Sequence, residues 1–165
     1  MKKKFFSVFA LVLATMLLFA TPLTTAAQTA QATDEIVVSR TVEQLEDGYY
    51  AEVIITEKPV NARATTYTKS GSKNYVLRNA NGDELLRFVL HGTFSVTTGV
   101  NATCTSATYT STITNTSWSL ESASTSRISN RAMGTAKYIR KVLLITVETK
   151  IFDGVLSCDA NGNLS

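Results

Sequence analysis

Histidine, cysteine and tryptophan are scarce in this chain of 165 residues, which contains one histidine, two cysteines and one tryptophan. Cys104, Cys158 and His91 are too widely separated to match the ligand spacing of a zinc site. His91 also has no recognisable catalytic partner, because the chain lacks a Gly-x-Ser-x-Gly elbow and has no Ser-x-x-Lys set in a catalytic context. We therefore expect no metal, no cofactor and no catalytic residue, and we interpret His91 as an ordinary polar-face side chain.

A calcium loop is also missing. The nearest match is Asp159-Ala160-Asn161-Gly162-Asn163, but an EF-hand loop needs a further oxygen ligand before the glycine and a glutamate after it. We predict a terminal turn at this position.

The net charge of the chain is zero when its first four residues are not counted. The chain has 16 Lys plus Arg and 13 Asp plus Glu, and Lys2, Lys3 and Lys4 account for the whole difference. The composition therefore gives no support to a nucleic-acid partner. The remaining charge is uneven, since residues 33–57 contain seven acids and one base, Arg40. Solvated faces that neutralise each other on packing and a detachable acidic arm both fit this asymmetry.

The three lysines begin the pattern of a secretory signal peptide. They precede an apolar run from Phe5 to Ala20, which small residues follow. The run has about sixteen residues, fewer than the roughly 20 that a membrane-spanning helix needs. We predict that residues 1–27 are a signal peptide, with cleavage as late as Ala32. Because neither cleavage point has a cysteine, we expect no lipid anchor. The mature protein is then expected to be secreted, without a membrane partner.

A sustained helical period is absent from the mature chain, so the sequence predicts no helix. The segment from Glu84 to Val96 alternates strictly instead, as expected for a strand with one face on a core. Gly92 predicts a bend or bulge in this strand, and Asn81-Gly82 predicts a tight hairpin turn before it. The wholly apolar face consists of Leu86, Phe88, Leu90, Gly92, Phe94 and Val96.

Other β-prone runs lie on both sides of this strand. Residues 33–58 predict an acidic hairpin that turns at residues 46–48. Residues 59–73 lack a sustained period and predict a linker or loosely held edge segment. Residues 74–165 predict the core, in one domain with residues 33–58. The side chains expected to face inward from the acidic hairpin are Tyr49, Ala51, Val53 and Ile55.

The second half of the chain is rich in serine and threonine. Trp118 and Leu120 predict a short strand, and the small residues from Ser122 to Asn130 predict a loop after it. A last hairpin turns near Arg140-Lys141. One face of its second strand consists of Leu143, Ile145, Val147, Thr149 and Ile151. The whole chain thus predicts an all-β protein of seven to nine strands, an antiparallel β-sandwich, with a small β-barrel as the alternative.

The two cysteines form an even pair in a chain predicted to be exported. Such a pair indicates a disulfide, here between Cys104 and Cys158. Two buried thiols or a reducing environment are the alternatives.

Several stretches resemble those of a group of small exported proteins from Gram-positive, often gut-dwelling, bacteria. They are Thr103-Cys104-Thr105-Ser106, the single Trp118, Gly134-Thr135-Ala136-Lys137 and the ending from Leu156 to Ser165. The resemblance covers most of the mature chain. It implies secretion and the pairing of Cys104 with Cys158, and it implies no activity.

Aromatic residues provide the one binding hypothesis. Trp118, Tyr109 and Tyr138 could form a platform on which sugar rings stack, although Trp118 could instead fill the core. We predict a secreted, non-catalytic protein with a binding or structural role outside the cell, with a cell-wall or glycan ligand as one version and the oligomeric state open. The alternatives are a secreted antagonist or signalling protein and a small hydrolase that uses carboxylates. Its acids would be Glu84, Glu148 and Asp153.

Overall fold

The computed structural model describes residues 35–45, 48–60 and 65–165, so the predicted signal peptide lies outside the described residues. Within them the chain forms eight strands and no α-helix. The strands are β1 (Ile36–Gln44), β2 (Tyr50–Glu57), β3 (Thr66–Arg78), β4 (Glu84–Thr97), β5 (Asn101–Ile113), β6 (Trp118–Ile128), β7 (Arg131–Val142) and β8 (Ile145–Ser157).

The strands form two antiparallel sheets in which neighbours in sequence are neighbours in space. Sheet A has the order β1-β2-β3-β4-β5, and sheet B has the order β6-β7-β8. Their apolar faces share one hydrophobic core, and neither sheet closes into a barrel. The predicted all-β sandwich is therefore confirmed. All described residues belong to one compact unit.

Strand β4 supplies the centre of the core. The predicted apolar face is buried along its whole length, and Leu86, Phe88, Leu90, Phe94 and Val96 have no exposed surface. Full burial of each such side chain contributes about 1.5–3 kcal/mol to folding. The opposite face is more polar, and there His91, Thr93 and Ser95 remain partly exposed. The alternation in the sequence thus predicted the inner face of β4 correctly.

Glycines allow the two sheets to approach each other at the largest side chains. A Cβ at Gly134 of β7 would lie 2.9 Å from the Leu90 side chain and 3.2 Å from the Phe88 ring. A Cβ at Gly154 of β8 would collide with the Tyr75 ring. These positions have no side chain because the opposite sheet fills the space, and a larger residue would force the sheets apart.

The turn between β3 and β4 forms where Asn81-Gly82 predicted it. Gly82 has a φ of 88°, and the Asn79 side-chain oxygen accepts the N–H groups of Asn81 and Asp83.

The predicted irregularity at Gly92 is displaced. The register shifts in the β4–β5 pairing between Thr93 and Phe94, where Thr105 of β5 is the extra residue. Gly92 is regular, and a Cβ there would lie 2.8 Å from the Phe94 ring.

The prediction of a linker or edge segment at residues 59–73 is wrong for its second half. Residues 66–73 belong to β3, which pairs with β2 on one side and β4 on the other, and residues 61–64 lie outside the described residues. The Lys69 side chain is buried because its ammonium group lies 2.9 Å from the Glu57 carboxylate. A buried lysine and several hydroxyl-bearing residues concealed the strand period. The predicted loop at residues 122–130 fails for a similar reason, since β6 continues to Ile128.

The acidic hairpin predicted at residues 33–58 forms the first two strands of sheet A, β1 and β2, and is not a detachable arm in this structure. The turn residues 46–47 lie outside the described residues, but β2 pairs with β3 along its full length, and Val53 and Ile55 contact the core as predicted. On the outer face, Glu52 binds Arg40 of β1 at 2.5 Å and Arg78 of β3 at 3.1 Å.

Glu52 is almost completely buried between those two arginines. Burial acts to raise its pKa, but hydrogen bonds and charge attraction from Arg78 and Arg40 outweigh burial and lower the pKa. Two acids of the first hairpin, Glu52 and Glu57, thus pair with bases of the neighbouring strand β3, which offsets part of the uneven charge of the sequence.

Replacement of Phe88 by alanine is expected to lower the free energy of unfolding by about 3–5 kcal/mol, because the ring is fully buried between the sheets. Urea denaturation followed by fluorescence measures the change. Val100→Ala, at a side chain that is mostly exposed, is the control and should change stability by less than about 0.5 kcal/mol. Equal effects of the two substitutions would contradict the assignment of the inner face.

Candidate functional site

The predicted sugar-stacking platform does not form. Trp118 is 3% exposed and Tyr138 is 0% exposed, so both rings belong to the core. Only Tyr109 reaches the surface, with 39% exposure, and its ring packs against Phe88 with 5.9 Å between centroids. The prediction is wrong for Trp118 and Tyr138, because alternation along a strand does not reveal which face the second sheet covers.

The two buried rings contact partners within the protein. The Tyr138 hydroxyl lies 2.7 Å from the Ser111 hydroxyl and 3.4 Å from the Arg87 carbonyl oxygen. Burial raises the pKa of Tyr138. The Trp118 ring meets Tyr49 edge to face, with 6.5 Å between centroids. These contacts join the sheets and leave no ring face for a sugar.

His91 lies half-buried on the outer face of β4. Its Nε2 is 3.1 Å from the Thr110 hydroxyl of β5, and burial lowers the pKa of the imidazole. The predicted polar-face position is confirmed. The Thr110 hydroxyl thus satisfies one ring nitrogen of His91.

The three carboxylates considered for hydrolysis lie in different local environments. Glu84 of sheet A binds Arg87 at 2.6 Å, whereas Glu148 of sheet B binds Arg140 at 2.9 Å and Lys150 at 3.1 Å. Asp153 accepts a hydrogen bond of 2.7 Å from Thr135. Each is thus engaged by a different cation or hydroxyl group.

The Asp159–Asn163 segment forms the predicted terminal turn. Asp159 Oδ1 accepts the N–H groups of Asn161 and Asn163 at 2.8 Å each, and Gly162 has a φ of 84°. Hydrogen bonds from Asn163 are the main cause of the lowered pKa of Asp159. The carboxylate therefore stabilises its own turn. Within the described residues, no group of three His, Cys, Asp or Glu side chains is arranged to hold a metal ion.

The predicted disulfide is absent from the structure, where Cys104 and Cys158 are free and buried. Cys104 Sγ donates to the Ser106 carbonyl at 3.3 Å, and Cys158 Sγ donates to the Asp159 carbonyl at 3.6 Å. Burial raises the pKa of both thiols, to about 11 for Cys158, where the Asp159 carboxylate adds to the effect. Protonated thiols are weak nucleophiles, so we expect both cysteines to oxidise slowly in the folded protein.

One side of the sandwich is closed by hydrogen bonds between the sheets. Strands β5 and β6 are the edges there, and Thr125 of β6 donates to the Ala107 carbonyl of β5 at 3.1 Å. Arg127 of β6 donates to the Thr105 carbonyl. These side chains occupy backbone acceptors of an edge strand, so the closed side offers little backbone to a partner.

The other side of the sandwich is open. Sheet A has two strands more than sheet B, and β8, the edge of sheet B, packs over β3. The strands β1 and β2 consequently extend past β8, and all nine residues of β1 are exposed. A cleft of about 290 Å³ lies between this overhang and β8. Its lining includes Leu45, Val53, Tyr75, Lys150, Ile151 and Phe152.

The β7–β8 hairpin carries a second exposed apolar surface, which sequence reasoning missed. Its turn consists of Leu143 and Leu144, which are 92% and 94% exposed and have φ angles of 48° and 73°. Val142 and Ile145, the pair that closes the turn, are also exposed. Two positive φ angles in a two-residue loop are the requirement of a type I′ turn, for which Asn-Gly is the favoured sequence. Leucine in this conformation costs on the order of 1 kcal/mol per residue.

The outer face of β8 continues this apolar surface. Thr149 and Ile151 share the outer face as predicted, and that face points to solvent. The register shifts between Arg140 and Lys141, where Val147 of β8 is the extra residue, so Ile145 lies on the opposite side with its partner Val142. The predicted face is therefore interrupted at Val147, and the turn lies at Leu143-Leu144, not near Arg140-Lys141 as predicted. The inner face of β8 buries Phe152, Gly154 and Leu156 instead. An apolar strand face without a covering layer marks an interaction surface more often than a core.

Comparisons with protein-family models, curated proteins and solved structures found no match to this chain. No helix capable of crossing a bilayer occurs in the described part of the chain.

Both cysteines are expected to react as free thiols once the protein unfolds, and to be nearly unreactive before. At pH 8, a pKa of about 11 leaves about a hundredfold less thiolate on Cys158 than the ordinary pKa of 9.0 does. Thiol labelling with and without denaturant, without added reductant, measures this. A purified protein lighter by two hydrogen atoms and without labelled thiols would show that a disulfide forms.

The double substitution Leu143→Asn/Leu144→Gly is expected to raise the free energy of unfolding by about 1–2 kcal/mol, because Asn and Gly adopt positive φ more readily than leucine does. Chemical denaturation measures the change. In the β3–β4 turn, Gly82→Leu should lower stability, because Gly82 has a φ of 88°. Loss of stability in the first variant would contradict the assigned turn.

Proposed function

We propose that this chain is an exported, non-catalytic protein that binds an extended polypeptide segment along the open side of its sandwich. The bound segment adds to β8 as a fourth strand of sheet B and lies in the cleft beneath β1 and β2. Export rests on the signal-peptide pattern of residues 1–27 and on the resemblance to small exported proteins. The observation that carries the binding role is the open cleft beside the edge strand β8.

The chemistry of the cleft favours a polypeptide over a glycan. Among the strands, β8 pairs with β7 alone, but Lys73 donates to the Val155 carbonyl at 3.0 Å and the Ser157 backbone pairs with Ser165. The row of backbone N–H and C=O groups that a new strand could use is therefore that of residues 145–153. Backbone hydrogen bonds to an edge strand supply affinity, and pockets for alternate side chains supply selectivity. The apolar lining from Leu45, Val53 and Phe152 suits a segment whose alternate side chains are apolar. A glycan would instead need aromatic faces, and Trp118 and Tyr138 are buried.

The charges in the cleft suit a polypeptide that also carries polar groups. Lys150 lines the cleft and binds Glu148 at 3.1 Å, while Glu43 of β1 and Asp153 of β8 also line it. A bound strand would place one row of side chains against the apolar lining and its other row toward solvent. We expect no covalent change in the bound segment.

Ile151→Lys tests this proposal, because Ile151 lies in the lining of the cleft on an exposed face of β8 and its replacement does not disturb the core. The probe is a displayed library of random peptides selected on the immobilised chain. We expect extended, alternately apolar peptides to be enriched on the wild type and their affinity to fall at least about tenfold with Ile151→Lys, since edge lysines oppose strand pairing.

The matched control is Ile128→Lys, the same substitution at a similarly exposed side chain on the closed side of the sandwich. Peptide affinity unchanged by Ile151→Lys, or equally reduced by Ile128→Lys, would contradict binding at β8. Retention on peptidoglycan or mucin without peptide enrichment would indicate a glycan ligand, and cleavage of a selected peptide or polysaccharide would indicate a hydrolase. Both outcomes would overturn the proposal.

A further inference from the structure

We propose that the tip of the β7–β8 hairpin, residues 142–145, binds anionic lipid surfaces. The four apolar side chains enter the interface between headgroups and acyl chains, and basic residues behind them contact lipid phosphate groups. This site and its ligand are independent of peptide binding at the cleft.

The first argument is the exposure of the tip. Leu143 and Leu144 are almost fully exposed, and Val142, Ile145 and Val147 are each about half exposed or more. No other described turn brings together four consecutive apolar residues. A contiguous exposed apolar patch on a folded protein indicates a binding surface for a protein or a membrane.

The second argument is the shape of the hairpin. The first residue of β6, Trp118, pairs with Arg140, and Lys141 makes the last backbone contact on that side, to the Ser117 carbonyl at 3.2 Å. Beyond Lys141 the hairpin has only its own two strands, because β8 is an edge strand. The tip thus projects past its neighbour and can enter a surface that lies across this end of the sheet.

The third argument is the backbone conformation. Both turn residues have positive φ angles, which leucine adopts rarely and asparagine and glycine adopt readily. The chain keeps two large apolar side chains at positions where local stability favours small or polar ones. Residues held in unfavourable backbone conformations cluster at functional sites, which is consistent with selection for contact and not for stability.

The charges decide between a lipid surface and an apolar partner. Residues 137–150 contain four bases and one acid, so the hairpin has a net charge of +3. Glu148 is shared by Arg140 and Lys150, and Lys137 pairs with Glu121. Lys141 is exposed, directly adjoins the tip, and forms no salt bridge among the described residues. An apolar tip with a basic flank is the composition of surfaces that bind anionic membranes.

The test uses the chain from Thr33 onward, which contains the whole described fold and lacks the apolar N-terminal run that would itself bind lipid. Co-sedimentation measures binding to vesicles of phosphatidylcholine and to vesicles in which about a third of the lipid is phosphatidylglycerol. We expect binding to the anionic vesicles, weaker binding without phosphatidylglycerol, and loss of binding at high salt.

The variant Leu143→Asn/Leu144→Gly is expected to weaken binding at least about tenfold, since it removes the two most exposed apolar side chains. Because Asn-Gly is the favoured pair for this turn, a loss of binding cannot be attributed to unfolding. Lys141→Ser should weaken binding to anionic vesicles about fivefold and leave binding to phosphatidylcholine unchanged. Val100→Ser, at an exposed apolar residue in the β4–β5 turn, is the matched control and should bind as the wild type does.

Three results would overturn the proposal. The first is no binding of the wild type to either vesicle. The second is binding that the Leu143→Asn/Leu144→Gly variant retains. The third is self-association of the chain in lipid-free sedimentation velocity that disappears in this variant, which would make a second copy of the chain the occupant of the tip.

Discussion

The packing of a five-stranded sheet against a three-stranded one is the constraint on which the rest of this structure depends. The contact between the sheets is tight, because Gly134 and Gly154 of sheet B leave room for the Phe88 and Tyr75 rings of sheet A. Sheet B is therefore held over β3, β4 and β5. Two strands of sheet A remain beyond its reach, and the cleft beside β8 follows from that difference in width.

The edge strands on the two sides of the sandwich differ in how far their backbone groups are covered. At the closed side, Thr125 and Arg127 of β6 donate to carbonyl groups of β5 and so occupy an edge that could otherwise pair with another chain. At the open side, β8 has apolar residues on its solvent face and a cleft beside its edge. Proteins that avoid association usually place charges or prolines on such an edge, and the composition of β8 is consistent with binding there.

Sequence reasoning was most accurate where one short pattern contained the whole cause of the structure. The alternation of β4 and the Asn81-Gly82 turn needed no distant partner to be recognised, and both are confirmed. It failed at residues 66–73, because Lys69 is buried by a carboxylate on another strand. It also failed at Cys104 and Cys158, because an even number of cysteines says nothing about where each thiol points. The apolar tip was missed because a search for membrane-spanning segments overlooks four residues at a turn.

The sequence by itself determined that the chain forms β-strands, which residues share a face on most of them, and where the β3–β4 turn lies. These features depend on the side-chain period of two and on the backbone preferences of asparagine and glycine, both of which are local. Only the tertiary structure decided which apolar face is covered. Phe88 and Ile151 both lie on alternating apolar faces, yet Phe88 is buried and Ile151 is exposed, because a second sheet lies over the face of β4 that bears Phe88 and no layer covers the outer face of β8.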